Sequence, residues 1–401
     1  MPFFWSARFG AGLRHWGTRH EHAPMSYETL RVIWWLILGV LLMGFAITDG
    51  FDLGLGASFT FLGRTDAERR ALLSSVEPVW EGNQVWFILG GGSAFAAWPL
   101  LYATSFSGLY LAMFLVLVAL ILRPVGFAYR DKLTDARWRR GWDIALTLGG
   151  ALPALLLGVA FANLFLGVPF HFDSLQRAVV TGSFFSLLHP FALLGGIISL
   201  SMLILHGNAY VSLKVGEPMA ARARRLGRMA SVVFLLTFLG AGFWVYSSLG
   251  GYAVTSAMDH GGPSDPMHKT VAIVTGAWLN NFRTWPWMWA APVCTVGGAL
   301  GANLALRAQH AGAAFMASVL VQGGTILTGG FALFPFLLPS STFPSQSLTV
   351  WDASSSAKTL LIMLVAVGVF LPIILAYTSR VFRVLKGRVT LENMQDHEGG
   401  Y

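Results

Sequence analysis

LYLAMFLVLVALIL (residues 109–122) and TLLIMLVAVGVFLPIILAY (residues 359–377) contain no charged side chain, and apolar runs like them recur from end to end. About 20 apolar residues in helical conformation cross the roughly 30 Å of hydrocarbon in a bilayer. Spanning barrel strands would read as short alternating segments, so continuous runs imply helices. The composition agrees. Of the 401 residues, 55% are hydrophobic and 11% charged, and the mean hydropathy is +0.61, outside the balance of a soluble domain. The chain is expected to be an all-α integral membrane protein in contact with lipid.

Nine spans are expected, at residues 29–49, 84–104, 107–127, 144–167, 184–206, 229–249, 286–306, 314–337 and 358–379. Residues 25–390 then form one polytopic membrane domain, with a tail at 391–401 and an extension at 1–24. The extension has neither the apolar core nor the cleavage site of a secretory signal, and reads as an interfacial arm or an artefact of the assigned start, since Met25 opens the clear pattern. The lone cysteine, Cys294, excludes an internal disulfide and reads as a packing residue.

The net charge of +8 could suggest nucleic acid, but the cations collect in loops beside apolar spans, as the positive-inside rule describes. Arg130, Lys132, Arg137, Arg139 and Arg140 follow the third span, and Lys214, Arg222, Arg224, Arg225 and Arg228 follow the fifth. Arg380, Arg383, Lys386 and Arg388 follow the ninth. These regions are expected in the cytoplasm, which places the C-terminus inside, the N-terminus outside and the first connection, with Arg64, Arg69 and Arg70, inside. The connections carrying Asp173, Asp259, Asp265 and Asp352 then lie outside. GGGSAFAAW (90–98) and QGGTILTGG (322–330) suit close helix approach in ordinary bundle packing.

FAITDGFDLG (45–54) closes the first expected span with Asp49 and Asp52, three residues apart and so on roughly one face if the helix continues. At membrane depth such groups mark a pathway or a partner; at headgroup level they are solvation, with Gly50 and Gly54 ending the helix. In SSVEPVWEGNQVW (74–86), Glu77 and Glu81 precede the second span beside Trp80, Asn83, Gln84 and Trp86. Acids beside amides that can hold water suit a proton relay; the plainer reading makes the tryptophans interfacial anchors and the glutamates solvated groups. Arg123, ahead of Pro124 in ILRPVGFAYR (121–130), either snorkels to the interface or pairs with a buried acid.

His189 reads as the histidine well inside a span, with His206 near the other end of that helix. A hydrogen bond to a neighbouring helix is its expected role, and an axial haem or metal ligand the sharper alternative. Asp352 or a following serine is expected to cap the last helix. The chain has no P-loop, dinucleotide glycine fingerprint, HExxH or nucleophile elbow, so no catalytic residue and no metal site is assigned to it.

LRVIWWLILGVLLMGFAITDGFDLG, FLGRTDAERR, WEGNQVWFILGGGSAFAAWPLLYA, LRPVGFAYR, GAWLNNF, FALFPFLLPSST and LTVWDASSSAKTL run in that order from about Met25 to the tail. Together they resemble subunit II of the cytochrome bd-type quinol oxidases. The resemblance implies a nine-helix subunit, built as two four-helix bundles and one peripheral helix, in the bacterial inner membrane. Its partner, subunit I, would carry the b- and d-type haems and the quinol-oxidising loop. The complex would oxidise quinol outside and reduce dioxygen to water with cytoplasmic protons, adding to the proton-motive force. Subunit II would be a scaffold that helps to line a proton path. A quinone bound in this subunit and a small third subunit are further options within the family.

Carried over by motif, the path residues are Asp52 and Glu81; the loop charges put Asp49 on the same expected cytoplasmic face, and Trp80, Asn83, Gln84 and Arg123 are the expected supporting residues. Glu81 stands where the family's best-known members have Asp; it keeps the titratable group with a longer reach. The family pattern does not use His189 as a haem ligand. A proton-coupled secondary transporter is the competing class, although the paired broken helices in inverted halves common to such folds are not evident. An inert assembly scaffold is a third.

Overall fold

The computed structural model describes residues 25–385 and 387–392; the extension at 1–24 and residues 393–401 of the tail lie outside them. Ser26 caps the first helix, α1 (Tyr27–Leu62), by accepting from the Thr29 amide. At 36 residues this helix is about 54 Å long, well beyond the hydrocarbon thickness. It does not end at TDGFD. Gly50 and Gly54 cost helix propensity, but they sit where α1 meets α7 (Pro190–Lys214), and a Cβ on Gly54 would lie 1.8 Å from the Leu203 carbonyl oxygen. Close backbone approach, not helix breaking, explains these glycines.

After α1, a capping box between Thr65 and Glu68 starts the short helix α2 (Asp66–Val76). The second expected span is broken: α3 (Trp80–Ala97) stops at Trp98, and α4 (Pro99–Gly108) leaves it at 118°. Pro99 supplies no amide to continue the ladder. The remaining helices are α5 (Tyr110–Tyr129), α6 (Ala136–Leu166), α7, α8 (Met219–Ser247), the short α9 (Asn280–Thr284), α10 (Ala290–Arg307), α11 (Ala311–Leu333) and α12 (Ala357–Val384). Among the described residues, 8 helices are long and apolar enough to cross a membrane, or up to 9 if the bent pair is one span.

α1 packs against α3, α6, α7 and α11, and so lies at the centre. By contrast α12 buries only Leu360 completely and touches the body chiefly through α1 and α3. The glycine runs expected to mark packing do so unevenly. Gly324 meets Thr295 of α10, whereas Gly91 and Gly92 of α3 have no neighbour within 4 Å.

The two ends differ. At the end holding α2 and the arginine-rich loops, Asp143 receives Arg130 at 2.7 Å and Arg69 at 2.6 Å, while Asp66 receives Arg130 at 2.8 Å and Arg139 at 2.9 Å. Arg222 forms a two-pronged bond with Glu68 at 2.7 and 2.8 Å. Several of the loop cations therefore pin the loops together.

At the opposite end three antiparallel hairpins form a cap: β1 (Phe170–Phe172) with β2 (Ala178–Val180), β3 (Gly250–Val254) with β4 (Val271–Thr275), and β5 (Phe336–Leu338) with β6 (Leu348–Thr349). Arg31 of α1 is fully buried there, donating to Ser354 Oγ at 2.7 Å and to the His260 and Gly262 carbonyls at 2.6 and 3.0 Å. Asp352 pairs with Lys269 at 2.7 Å, and burial pushes the carboxyl above and the ammonium below their usual ranges. Asp352 is thus not the cap of the last helix; Ser356 is, accepting from Thr359. His189 likewise lies at a helix start rather than inside a span, because α7 begins at Pro190 and the His189 ring accepts from the Phe191 amide.

Candidate functional site

The arrangement starts from helix spacing. Asp49 and Asp52 are one turn apart on α1 and Asp52 lies ten residues before its end at Leu62, so at least about 15 Å of helix separates them from the α2 connection. Two neighbouring helices bring partners. The α3 helix runs along α1 with the Trp86 ring over Gly44, where a Cβ would come within 2.3 Å of the ring, and this fixes the register that sets Asn83 opposite Asp52. The α5 helix lies close to α6 at Gly149, whose missing side chain leaves room for the Arg123 stem: a Cβ there would sit 3.1 Å from Arg123 Cγ.

The resulting cluster is sealed from solvent, with Asp49 and Asn83 1% exposed and Asp52 and Arg123 3% exposed. Arg123 grips Asp49 with both prongs, Nη2 to Oδ1 at 2.9 Å and Nη1 to Oδ2 at 3.1 Å. Asn83 Nδ2 donates to Asp52 Oδ2 at 2.8 Å, and Arg123 Nη2 stands 3.8 Å from that same oxygen. Asp52 Oδ1 is buried without a hydrogen-bond partner. Two carboxylates thus face one guanidinium, one negative charge in excess if all are ionised. A single proton makes the cluster neutral, and the open Oδ1 is where it or a water could attach.

Of the residues singled out by sequence, Asp49, Asp52, Asn83 and Arg123 come together. Arg123 pairs rather than snorkels. Glu81 does not join them: it is exposed on the first turn of α3, and a residue two positions from Asn83 faces another side of the helix. Trp80 is half-buried against Phe127, with ring centroids 5.6 Å apart, and Gln84 is half-buried outside the cluster. Glu77 is exposed at the end of α2. Trp86 is a packed residue and no interfacial anchor.

His206, little weighted from sequence, is fully buried between α1 and α11, its ring nitrogens 2.8 Å from Ser318 Oγ and 2.8 Å from the Ile47 carbonyl. Both nitrogens are engaged, so this imidazole does not fit an axial haem position. Among the described residues no group of three or more His, Cys, Asp or Glu side chains could hold a metal ion. Within the cluster, the chemistry that the geometry allows is proton binding at the open oxygen of a buried carboxylate.

Residues 30–385 match a family model described as cytochrome bd terminal oxidase subunit II. The chain is 49% identical over 365 residues to a probable cytochrome oxidase subunit 2 of Haemophilus influenzae, covering 91% of this chain and 96% of that protein. It is 47% identical over 371 residues to the cytochrome bd-I ubiquinol oxidase subunit 2 of Escherichia coli, covering 92% and 98% respectively. In structure it is similar to a chain of the bd oxidase from Geobacillus thermodenitrificans, with a TM-score of 0.65, 16% identity, and coverage of 89% of this chain and 98% of that one.

Proposed function

Because the chain belongs to the cytochrome bd terminal oxidase subunit II family, we propose that its buried cluster is a proton station serving a haem-bearing partner subunit. The chain is a multi-pass subunit of a terminal oxidase. In the proposal the arginine-rich end faces the cytoplasm of the bacterial inner membrane and the hairpin cap faces outward, an orientation supported by the loop charges. The complex takes electrons from a quinol, ubiquinol in the E. coli relative, and reduces dioxygen to water with protons from the arginine-rich side. Haem supplies the redox chemistry in the partner; this chain scaffolds that partner and helps to deliver protons.

The observation that carries the reading is the unpartnered, buried Oδ1 of Asp52. Both oxygens of Asp49 are held by Arg123, so Asp49 is the fixed counter-ion and Asp52 the group that exchanges the proton. Asn83 orients Asp52 through Oδ2. Glu81, exposed on α3, is a second acid on a separate face; we assign it to the junction with the partner. A transporter gains no support: one broken helix pair occurs among the described residues, where inverted-repeat carriers commonly use two.

Asp52→Asn, expressed with the partner, should lower quinol-dependent oxygen uptake at least about tenfold while the reduced-minus-oxidised haem spectrum keeps its amplitude. Glu81→Gln should slow turnover with haem content intact. Wild-type turnover in Asp52→Asn would remove the proton role from the cluster, and absence of any haem spectrum in the wild-type complex would remove the oxidase itself.

A further inference from the structure

A cavity of about 800 Å³ opens near the arginine-rich end, between α1, α7 and α12. Phe51, Phe315, Phe382 and Leu385 line it, with Phe51 stacked on Tyr210 at a centroid distance of 4.1 Å. Lys214 and Arg388 also line it, where α7 ends and the tail begins. The cavity exists because α12 stands away from α7 over most of its length and is tied back by the tail. Val389 N donates to the Lys214 carbonyl at 2.8 Å and Gly216 N to the Val389 carbonyl at 3.0 Å. The Lys214 ammonium and the Arg388 Nε donate to the Leu385 and Leu213 carbonyls.

The wall is mostly apolar, so it suits an apolar guest that can make dispersion contacts with it, and ordered water would find few polar partners there. At the membrane's edge the abundant apolar molecule is an acyl chain. The charge around the opening selects its headgroup. Lys214 retains further N–H donors, Arg388 is exposed, and Arg380 and Arg383 border a shallow groove on the last turns of α12. The nearby acid, Glu217, is already bonded to Arg224 at 2.7 Å. Basic groups clustered beside an apolar recess at headgroup depth match an anionic lipid.

We propose that this cavity holds an acyl chain of an anionic phospholipid whose phosphate is met by Lys214 and Arg388. The site does not depend on the proton path and uses none of its residues.

The test uses the intact complex purified with its partner in mild detergent. Native mass spectrometry should find a phospholipid that survives delipidation, and added phosphatidylglycerol should raise the melting temperature where phosphatidylcholine does not. Arg388→Glu should weaken phosphatidylglycerol binding about tenfold. Ser74→Phe, which fills the cavity from α2, should abolish retention; both variants should keep the haem spectrum. Retention and headgroup preference unchanged in Arg388→Glu would mean an ordinary annular lipid and overturn the proposal. So would a wild-type complex with no retained lipid and no headgroup preference, or recovery of a quinone in place of the phospholipid.

Discussion

Arg123 is what allows α1 to bury two carboxylates. Its guanidinium binds Asp49 with both prongs and lies within 3.8 Å of Asp52, so removing it leaves two acids facing each other in a dry site. Breaking one side of a buried ion pair typically costs about 3–5 kcal/mol. Arg123→Ala should therefore lower the yield and melting temperature of the complex sharply. Arg123→Lys, which keeps the charge but not the planar fork, should be milder on both readouts. An Arg123→Ala complex that assembles normally and melts with the wild type would contradict this account. From sequence, Arg123 could snorkel or pair, since nothing in LRPVGFAYR says which helix lies opposite. Glu81 shows the reverse: the motif names it, but its place on α3 turns it away from the cluster that Asn83 enters.

Among the elements, α1 carries the most consequence. Ending it at TDGFD would have left both acids in solvent; continuing it to Leu62 brings them into the interior. What permits this is backbone contact with α7: Gly207 offers the reciprocal approach to Gly54, with a Cβ placed there 2.4 Å from Leu55 N. Gly54→Val should separate the two helices, and assembled complex should fall to near absence on a native gel. Gly141→Ala, in open space on α6, should be neutral or slightly stabilising, by up to about 1 kcal/mol, because alanine is the better helix former. Equal behaviour of the two would show that α1 and α7 are not in tight contact. The glycine run at 90–92 reads as a packing signal, yet Gly54 and Gly207, each standing alone, make the close approach between α1 and α7; a pattern of small residues shows where contact is possible, not which face receives it.

Across the whole molecule, charge is arranged by end. At the arginine-rich end, hydrogen bonds from Arg222 hold the Glu68 carboxyl down at about 2, against an ordinary 4.5, and outweigh the opposing effect of its burial. A carboxyl held low when folded stabilises above its unfolded value and loses that contribution as pH falls from 4.5 toward 2. Glu68→Gln should thus lower the melting temperature at pH 7 and flatten its fall between about pH 5 and 3. An acid limb as steep as the wild type's would assign the acid sensitivity to other groups. At the opposite end the buried Lys269 and Asp352 pair and the Arg31 contacts bind the hairpin cap to the start of α1 and to the loop before α12, a link no local pattern announces.

Read one residue after another, the chain already declared its helical membrane class, most of its spans and the division of its loops by charge, because the length and oiliness of a run and the cations flanking it are properties of consecutive residues. The grouping of Asp49, Asp52, Asn83 and Arg123, the break at Trp98, the burial of His206 and the cavity beside α12 emerged only on folding. Each depends on how far a helix is rotated about its own axis and which neighbour it meets, and in lipid, where both faces of a span can be equally apolar, hydrophobicity carries little record of that rotation.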